Sequence, residues 1–255
     1  MADQPAMEKQ AIENPKIADF VSRLREAAGA NLESLVLFGS SVAGDFHPEF
    51  SNVNLFCVLG DSSFAALMKL APAVKWWESR RQPAPMFMTR EEIERSVDVF
   101  TIELLDVKQH HRVLFGADVF RDLKIPANLH RVQVEYELRE KLALLRQHLL
   151  LASGKDARMW ELLTRSISSF VTLFRHSLIV SGREAPAAKR EAIRSLAEQI
   201  GFDPSAFLQV LDVREKKIDG RKLDVAEVFA RYLAALEKVT AAVDRMLDSG
   251  PAGSL

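Results

Sequence analysis

Two short segments hold the residue types that could do chemistry: Gly39-Ser40-Ser41, after an apolar run at 34–38, and Ser51-Asn52-Val53-Asn54, opening a second apolar run at 53–59. Gly39 lets a ligand come close to the main chain, and Ser40 and Ser41, with the amides of the turn, offer neutral donors of the kind that receive phosphate oxygens. Positions 52 and 54 lie two apart, so on a strand their side chains leave the same face. Carboxylates there could share divalent cations. Asn52 and Asn54 keep the carbonyl oxygen and nearly the shape of aspartate while carrying no charge. Asparagine is depleted from strands, so two on one face of an otherwise apolar run are unexpected as plain strand residues.

The elements that must position these groups follow from the periodicity. Asn14 caps and Pro15 opens a first helix whose apolar face is Ile17, Phe20, Val21 and Leu24. The runs at 34–38 and 53–59 read as buried strands, joined through a polar loop containing Pro48. Residues 63–81 then read as a helix, 86–88 and 100–105 as short strands, and 90–96 and 106–114 as helices, which makes this half mixed α/β. From Leu129 onward the segments 129–152, 157–181, 187–200, 204–216 and 224–248 all read as helices, with Trp160, Leu163, Ile167, Phe170, Val171, Phe174 and Leu178 marking a central one. The expected organisation is α+β: a mixed-sheet domain over 1–125, an all-α helical bundle over 126–248 and a disordered tail over 249–255.

Composition narrows the function classes. The chain has 255 residues, 48% of them hydrophobic, enough to bury a substantial core. With 34 basic and 35 acidic residues the net charge of -1 gives no electrostatic reason to bind nucleic acid or an acidic membrane. Cys57 stands alone in an apolar run and reads as a small buried hydrophobe. The first ten residues lack the pattern of a signal peptide, and no apolar stretch approaches the roughly 20 residues that span a bilayer, so a cytoplasmic location is expected.

The segment from Leu37 to Leu55 resembles the signature of the DNA polymerase beta-like nucleotidyltransferases, in which a strand ends in Gly-Ser and a second strand opens with Ser-Asp-x-Asp. The resemblance implies a nucleotidyltransferase-fold mixed sheet with flanking helices, Gly39, Ser40 and Ser41 at nucleotide phosphates, and the metal positions at Asn52, Asn54 and a third acid. Glu103, embedded in the apolar run at 100–105, is the candidate for that third acid. The helical second half, with Ser181-Gly182-Arg183-Glu184-Ala185-Pro186, Lys189 and Gly201-Phe202-Asp203, is similar to bacterial members with the kanamycin nucleotidyltransferase layout, where a base from the helical half would fall at Glu135 or Glu161.

The departure from the family pattern sets the functional expectation. Asparagines at 52 and 54 remove most of the affinity for Mg2+, and Asp45, Glu49 and Asp61 lack the spacing to replace them. The expected protein is a catalytically impaired, nucleotidyltransferase-like pseudoenzyme that retains a cleft for a nucleotide or small ligand. Two alternatives stand beside it: an active enzyme that uses Glu103, Mg2+ and a nucleoside triphosphate to modify a small-molecule or protein hydroxyl, and an interaction module without nucleotide binding. A homo-oligomer is compatible with each. Other features read as structural. His110 and His111 are adjacent, about 100° apart on a helix, and do not form a metal pair. Trp76 and Trp77 near Arg80 and Arg81 read as one core tryptophan and a solvated basic face, and the pairs Lys189-Arg190, Lys216-Lys217 and Arg221-Lys222 as charges at helix ends.

Overall fold

Residues 15–42 and 52–246 are described by the computed structural model, and they divide into two units. One takes in the chain to Val97 with Glu103–Lys124, the other Asp98–Ile102 and the chain from Ile125. The fold is α+β, a four-stranded mixed sheet with flanking helices followed by a helical region.

Up to Lys124 the order is α1 (Pro15–Ala28), β1 (Leu32–Phe38), a 3-10 turn (Gly39–Ser41), β2 (Asn54–Leu59), α2 (Phe64–Glu78), β3 (Met86–Thr89), α3 (Arg90–Arg95), α4 (Thr101–Gln109, its first two residues counted with the second unit) and β4 (His111–Gly116). The Asn14 cap and the loop acids Asp45 and Glu49 lie outside the described residues, as does the expected tail at 249–255. The sheet order is β3-β2-β1-β4, with β1 antiparallel to both its neighbours and β2 parallel to β3. Leu35, Leu37, Val53, Leu55, Cys57 and Leu59 leave one face of β1 and β2 and pack with Phe20 and Leu24 of α1 and Leu70 and Trp77 of α2. Cys57 is fully buried there, and desolvation pushes its thiol pKa up, away from the reactive thiolate. The alternation of strand side chains thereby sends Asn54, Phe56 and Val58 to the opposite face.

Two expected elements are corrected. The run at 100–105 is not a strand, and 106–114 is not a helix: Thr101–Gln109 forms α4, and His111–Gly116 forms the edge strand beside β1. A short apolar run fits either state, and here Thr101, Ile102, Leu104, Leu105 and Val107 are all buried, a broad surface that a helix gathers and a one-faced strand does not. Leu, Glu and Lys also favour the helix intrinsically. At the end of β4, Gly116 has φ +78, and a Cβ there would lie 1.9 Å from the Glu33 carbonyl oxygen, so only glycine permits this approach of the two chains.

The second unit holds α5 (Ala127–Ala152), α6 (Asp156–Val180), α7 (Lys189–Ile200), α8 (Ser205–Arg214) and α9 (Val225–Arg245). As its apolar pattern indicates, α6 is central, with Leu163, Ile167, Phe170, Val171, Phe174 and Leu178 buried. Tyr232 of α9 stacks on Phe207 of α8 with centroids 4.1 Å apart. His130 and His176 are both fully buried and share a 2.8 Å bond between Nε2 and Nδ1, joining α5 to α6. Among the described residues no helix is long and apolar enough to cross a membrane.

Candidate functional site

The site grows from the end of β1. After Phe38 the chain enters the 3-10 turn, which the Val42 amide closes by donating to the Gly39 carbonyl at 2.9 Å. Gly39 has φ +75, and a Cβ on it would stand 2.9 Å from Nδ2 of Asn54. The register puts Asn54 directly across from Phe38, so the turn and the start of β2 meet through the missing glycine side chain. Ser41 Oγ donates to the Asn52 carbonyl oxygen at 3.4 Å, a second link between the two segments. Asn52 is exposed, Val53 buried and Asn54 half-buried, the alternation expected where a strand emerges from its sheet.

β3 lies on the far side of β2 from β1. Its register, Phe56 against Met86, carried back by the same offset sets Gln82, Pro83 and Ala84 beside Asn52, Val53 and Asn54. Gln82 makes the link in fact: its Oε1 accepts from the Val53 amide at 2.8 Å, between the two asparagines. The strand neighbouring β2 therefore contributes an amide here, and no acid occurs from Arg81 to Thr89. Pro83 and Pro85 lack amide hydrogens and delay regular pairing, which leaves Val53 N–H for a side chain to satisfy. Nothing in the run of residue types around Gln82 signals this role; it depends on the parallel crossover.

On the other side of β1, His111 pairs across from Phe38. Directly opposed residues of antiparallel strands present their side chains to one face, so Asn54, Phe38 and His111 form a row at this end of the sheet. His111 Nε2 lies 2.9 Å from Asp118 Oδ1, with 10% and 20% of the two side chains exposed. Partial burial opposes ionisation of Asp118, but His111 and the amides of Phe120 and Arg121 outweigh it and hold the carboxyl below its ordinary pKa. This pair was not legible from the adjacent histidines, because it requires β4 to turn at Gly116 and bring Asp118 back.

The remaining sequence candidates disperse. Glu103 is half-buried on α4, outside the sheet, and not on a strand beside β2. Asp61 is engaged by Ser63, whose amide and hydroxyl both donate to it at 2.8 Å. Trp77 is core, while Trp76 carries the Arg80 guanidinium 3.5 Å from its ring centroid. Glu135 accepts from Arg139 and Glu161 pairs with Arg165, each at 2.7 Å. Arg190 joins Asp212 at 2.8 Å and Glu215 at 2.7 Å, a bridge from α7 to the end of α8. Among the described residues no three His, Cys, Asp or Glu side chains are grouped to hold a metal ion.

Residues 15–109, from the first residue of α1 to the last of α4, match the family model of the nucleotidyltransferase domain. No curated protein matches the chain. Among solved structures, the spectinomycin adenyltransferase of Enterococcus faecialis, crystallised with ATP and spectinomycin, aligns with a TM-score of 0.53 at 16% identity, over 92% of this chain and 99% of that one. At that identity the likeness is one of fold, and it extends through the helical region beyond the family match.

Proposed function

We propose that this chain, which carries the nucleotidyltransferase domain of the polymerase-beta type over residues 15–109, binds a nucleotide at the β1 turn and does not carry out metal-dependent nucleotidyl transfer. The observation behind this reading is the row of amides at the place where charge is needed: Asn52, Asn54 and, from the β3 side, Gln82. Two-metal transfer needs anionic ligands to neutralise and fix the cations that bridge the phosphates. A carboxylate about 4 Å from a divalent ion contributes on the order of several kcal/mol at an effective dielectric near 20, and this donor set supplies none of it. Neutral amides do not fit Mg2+, which sheds its water shell reluctantly and usually binds through carboxylates and substrate phosphates.

The reasons for retaining a nucleotide are local and comparative. The Gly39 turn keeps the tight approach to its backbone that suits phosphate oxygens, and the adenyltransferase of the same fold was crystallised with ATP. Transfer that relies on Glu103 gains no support, since that residue lies on α4.

Calorimetric titration of the four nucleoside triphosphates tests the reading, with and without Mg2+ or Mn2+, on the natural chain and on its Asn52→Asp, Asn54→Asp variant. The expected result is metal-independent binding to the natural chain and metal-strengthened binding to the variant. Metal-dependent transfer by the natural chain at about 1 per second or faster, the range of ordinary enzymes, would overturn it. Absence of binding to both forms would leave a scaffold that acts through other contacts.

A further inference from the structure

Between the second half of α5 and the first half of α6 lies a groove of about 540 Å³. That volume falls within the roughly 300 to 1,000 Å³ of small-molecule sites. Its floor is apolar and fixed, with Leu145, Ala152 and Phe170 no more than 4% exposed, and Leu144, at 44%, forms an open wall. Lys141, Arg158 and Arg165 set three cationic side chains around it, of which Lys141 is paired with Glu137 at 2.8 Å and Arg165 with Glu161 at 2.7 Å. Arg158 has no carboxylate partner among the described residues; its Nη1 donates only to the Leu151 carbonyl oxygen at 3.4 Å, a weak bond that a ligand anion can replace.

We propose that this groove binds an amphipathic organic anion, an acyl chain bearing a carboxylate, with the chain on the Leu145 and Phe170 floor and the head group at Arg158. The chemistry selects that class on two counts. An apolar floor of this extent favours a hydrocarbon body over a sugar or a nucleotide. With Lys141 and Arg165 each paired, Arg158 is the cation left to disfavour a cationic ligand, and a guanidinium without a carboxylate partner suits a carboxylate in the planar two-bond arrangement. Every lining residue belongs to the helical unit, and the inference is tested with a fatty-acid probe and not a nucleotide, so it succeeds or fails independently of the nucleotide reading.

Sodium decanoate is the probe, titrated into the full chain by calorimetry below its micelle concentration, with butyrate supplying the head alone and decanol the chain alone. Saturable one-to-one binding of decanoate is expected, at least about tenfold tighter than either control. Arg158→Glu should weaken decanoate about tenfold, the scale of one charge-assisted bond, and leave decanol unchanged. Leu144→Glu, at an exposed position that folding tolerates, should weaken both decanoate and decanol. Equal affinity for decanoate and decanol, or indifference to Arg158→Glu in a variant that melts as the parent does, would overturn the proposal. So would a dimer, detected by sedimentation without probe, that Leu144→Glu dissociates: the groove would then be an interface between copies.

Discussion

Replacing Gly39 by alanine tests the geometry on which the site rests. The residue sits at φ +75, where an L side chain costs about 1 to 2 kcal/mol. The new Cβ would also stand 2.9 Å from Asn54 Nδ2, closer than real contacts allow, and the amide is a side-chain end that can rotate away. Forcing it off its rotamer adds roughly 0.5 to 1.5 kcal/mol, while the less flexible unfolded chain returns about 0.4 to 1. The net expectation is a loss of about 1 to 2 kcal/mol, read as a lower urea midpoint at unchanged slope. Asn54→Ala supplies the control, because it removes the atom that the Cβ meets and leaves the backbone strain in place. Gly39→Ala should therefore cost about 0.5 to 1 kcal/mol less in the Asn54→Ala background, a coupling within the range of contacting residues. Parental stability for Gly39→Ala would refute the strained turn, and an identical cost in both backgrounds would refute its contact with β2.

Three further outcomes follow from the same geometry. Gln82→Ala should cost about 1 to 3 kcal/mol by leaving the buried Val53 amide without its 2.8 Å acceptor, and Gln82→Glu, which keeps an acceptor, should recover most of that in urea unfolding. Asp118 has a folded-state pKa below its unfolded value, so its contribution is present above about pH 3.9 and lost as pH falls through the folded value; Asp118→Asn should flatten the acid limb of stability below about pH 4 by at most roughly 1 kcal/mol in urea titrations across pH 2.5 to 6. Asn52→Asp with Asn54→Asp would place like charges about 6.6 Å apart along the strand, a repulsion of about 0.6 kcal/mol at the dielectric of water and about 2.5 at an effective 20; the metal-free variant should melt lower than the parent and recover with millimolar Mn2+.

What was legible in the residues was whatever depends on local spacing. The strands of β1 and β2, the Gly39 turn, the central bundle helix and the burial of Cys57 and of one of the two adjacent tryptophans all follow from apolar runs broken by Gly, Pro and polar residues. The stretch from Thr101 to Gly116 resisted because its apolar runs are short enough to suit either state, and packing decided it: α4 buries most of its circumference, and β4 has the open edge of β1 to pair with. Misreading α4 as a strand placed Glu103 in the sheet, whereas it lies on a helix. The two contacts that define the site's flanks, Gln82 to Val53 and His111 to Asp118, are tertiary in origin. The first depends on the crossover through α2 that lays β3 parallel to β2, and the second on the turn at Gly116. Neither leaves a mark in composition or periodicity.

A scaffold can outlive its metal chemistry for an energetic reason visible in this sheet. An active site that holds two or three carboxylates on one face stores their repulsion in the apo protein and releases it only when cations bind. Amides at the same positions remove the repulsion and add hydrogen-bonding capacity of both signs. Here those amides take structural work: Asn54 fills the space that Gly39 leaves open, and Gln82 ties the lead-in of β3 to β2 through the Val53 amide. Each contact makes the neutral state more stable without metal. On the function proposed above, a change from acid to amide would be self-reinforcing: with transfer lost, selection for stability alone favours packing these positions. On the same proposal the β1 turn is exempt, because turn amides suit an anion whether or not a cation accompanies it, and nucleotide binding is the property expected to persist.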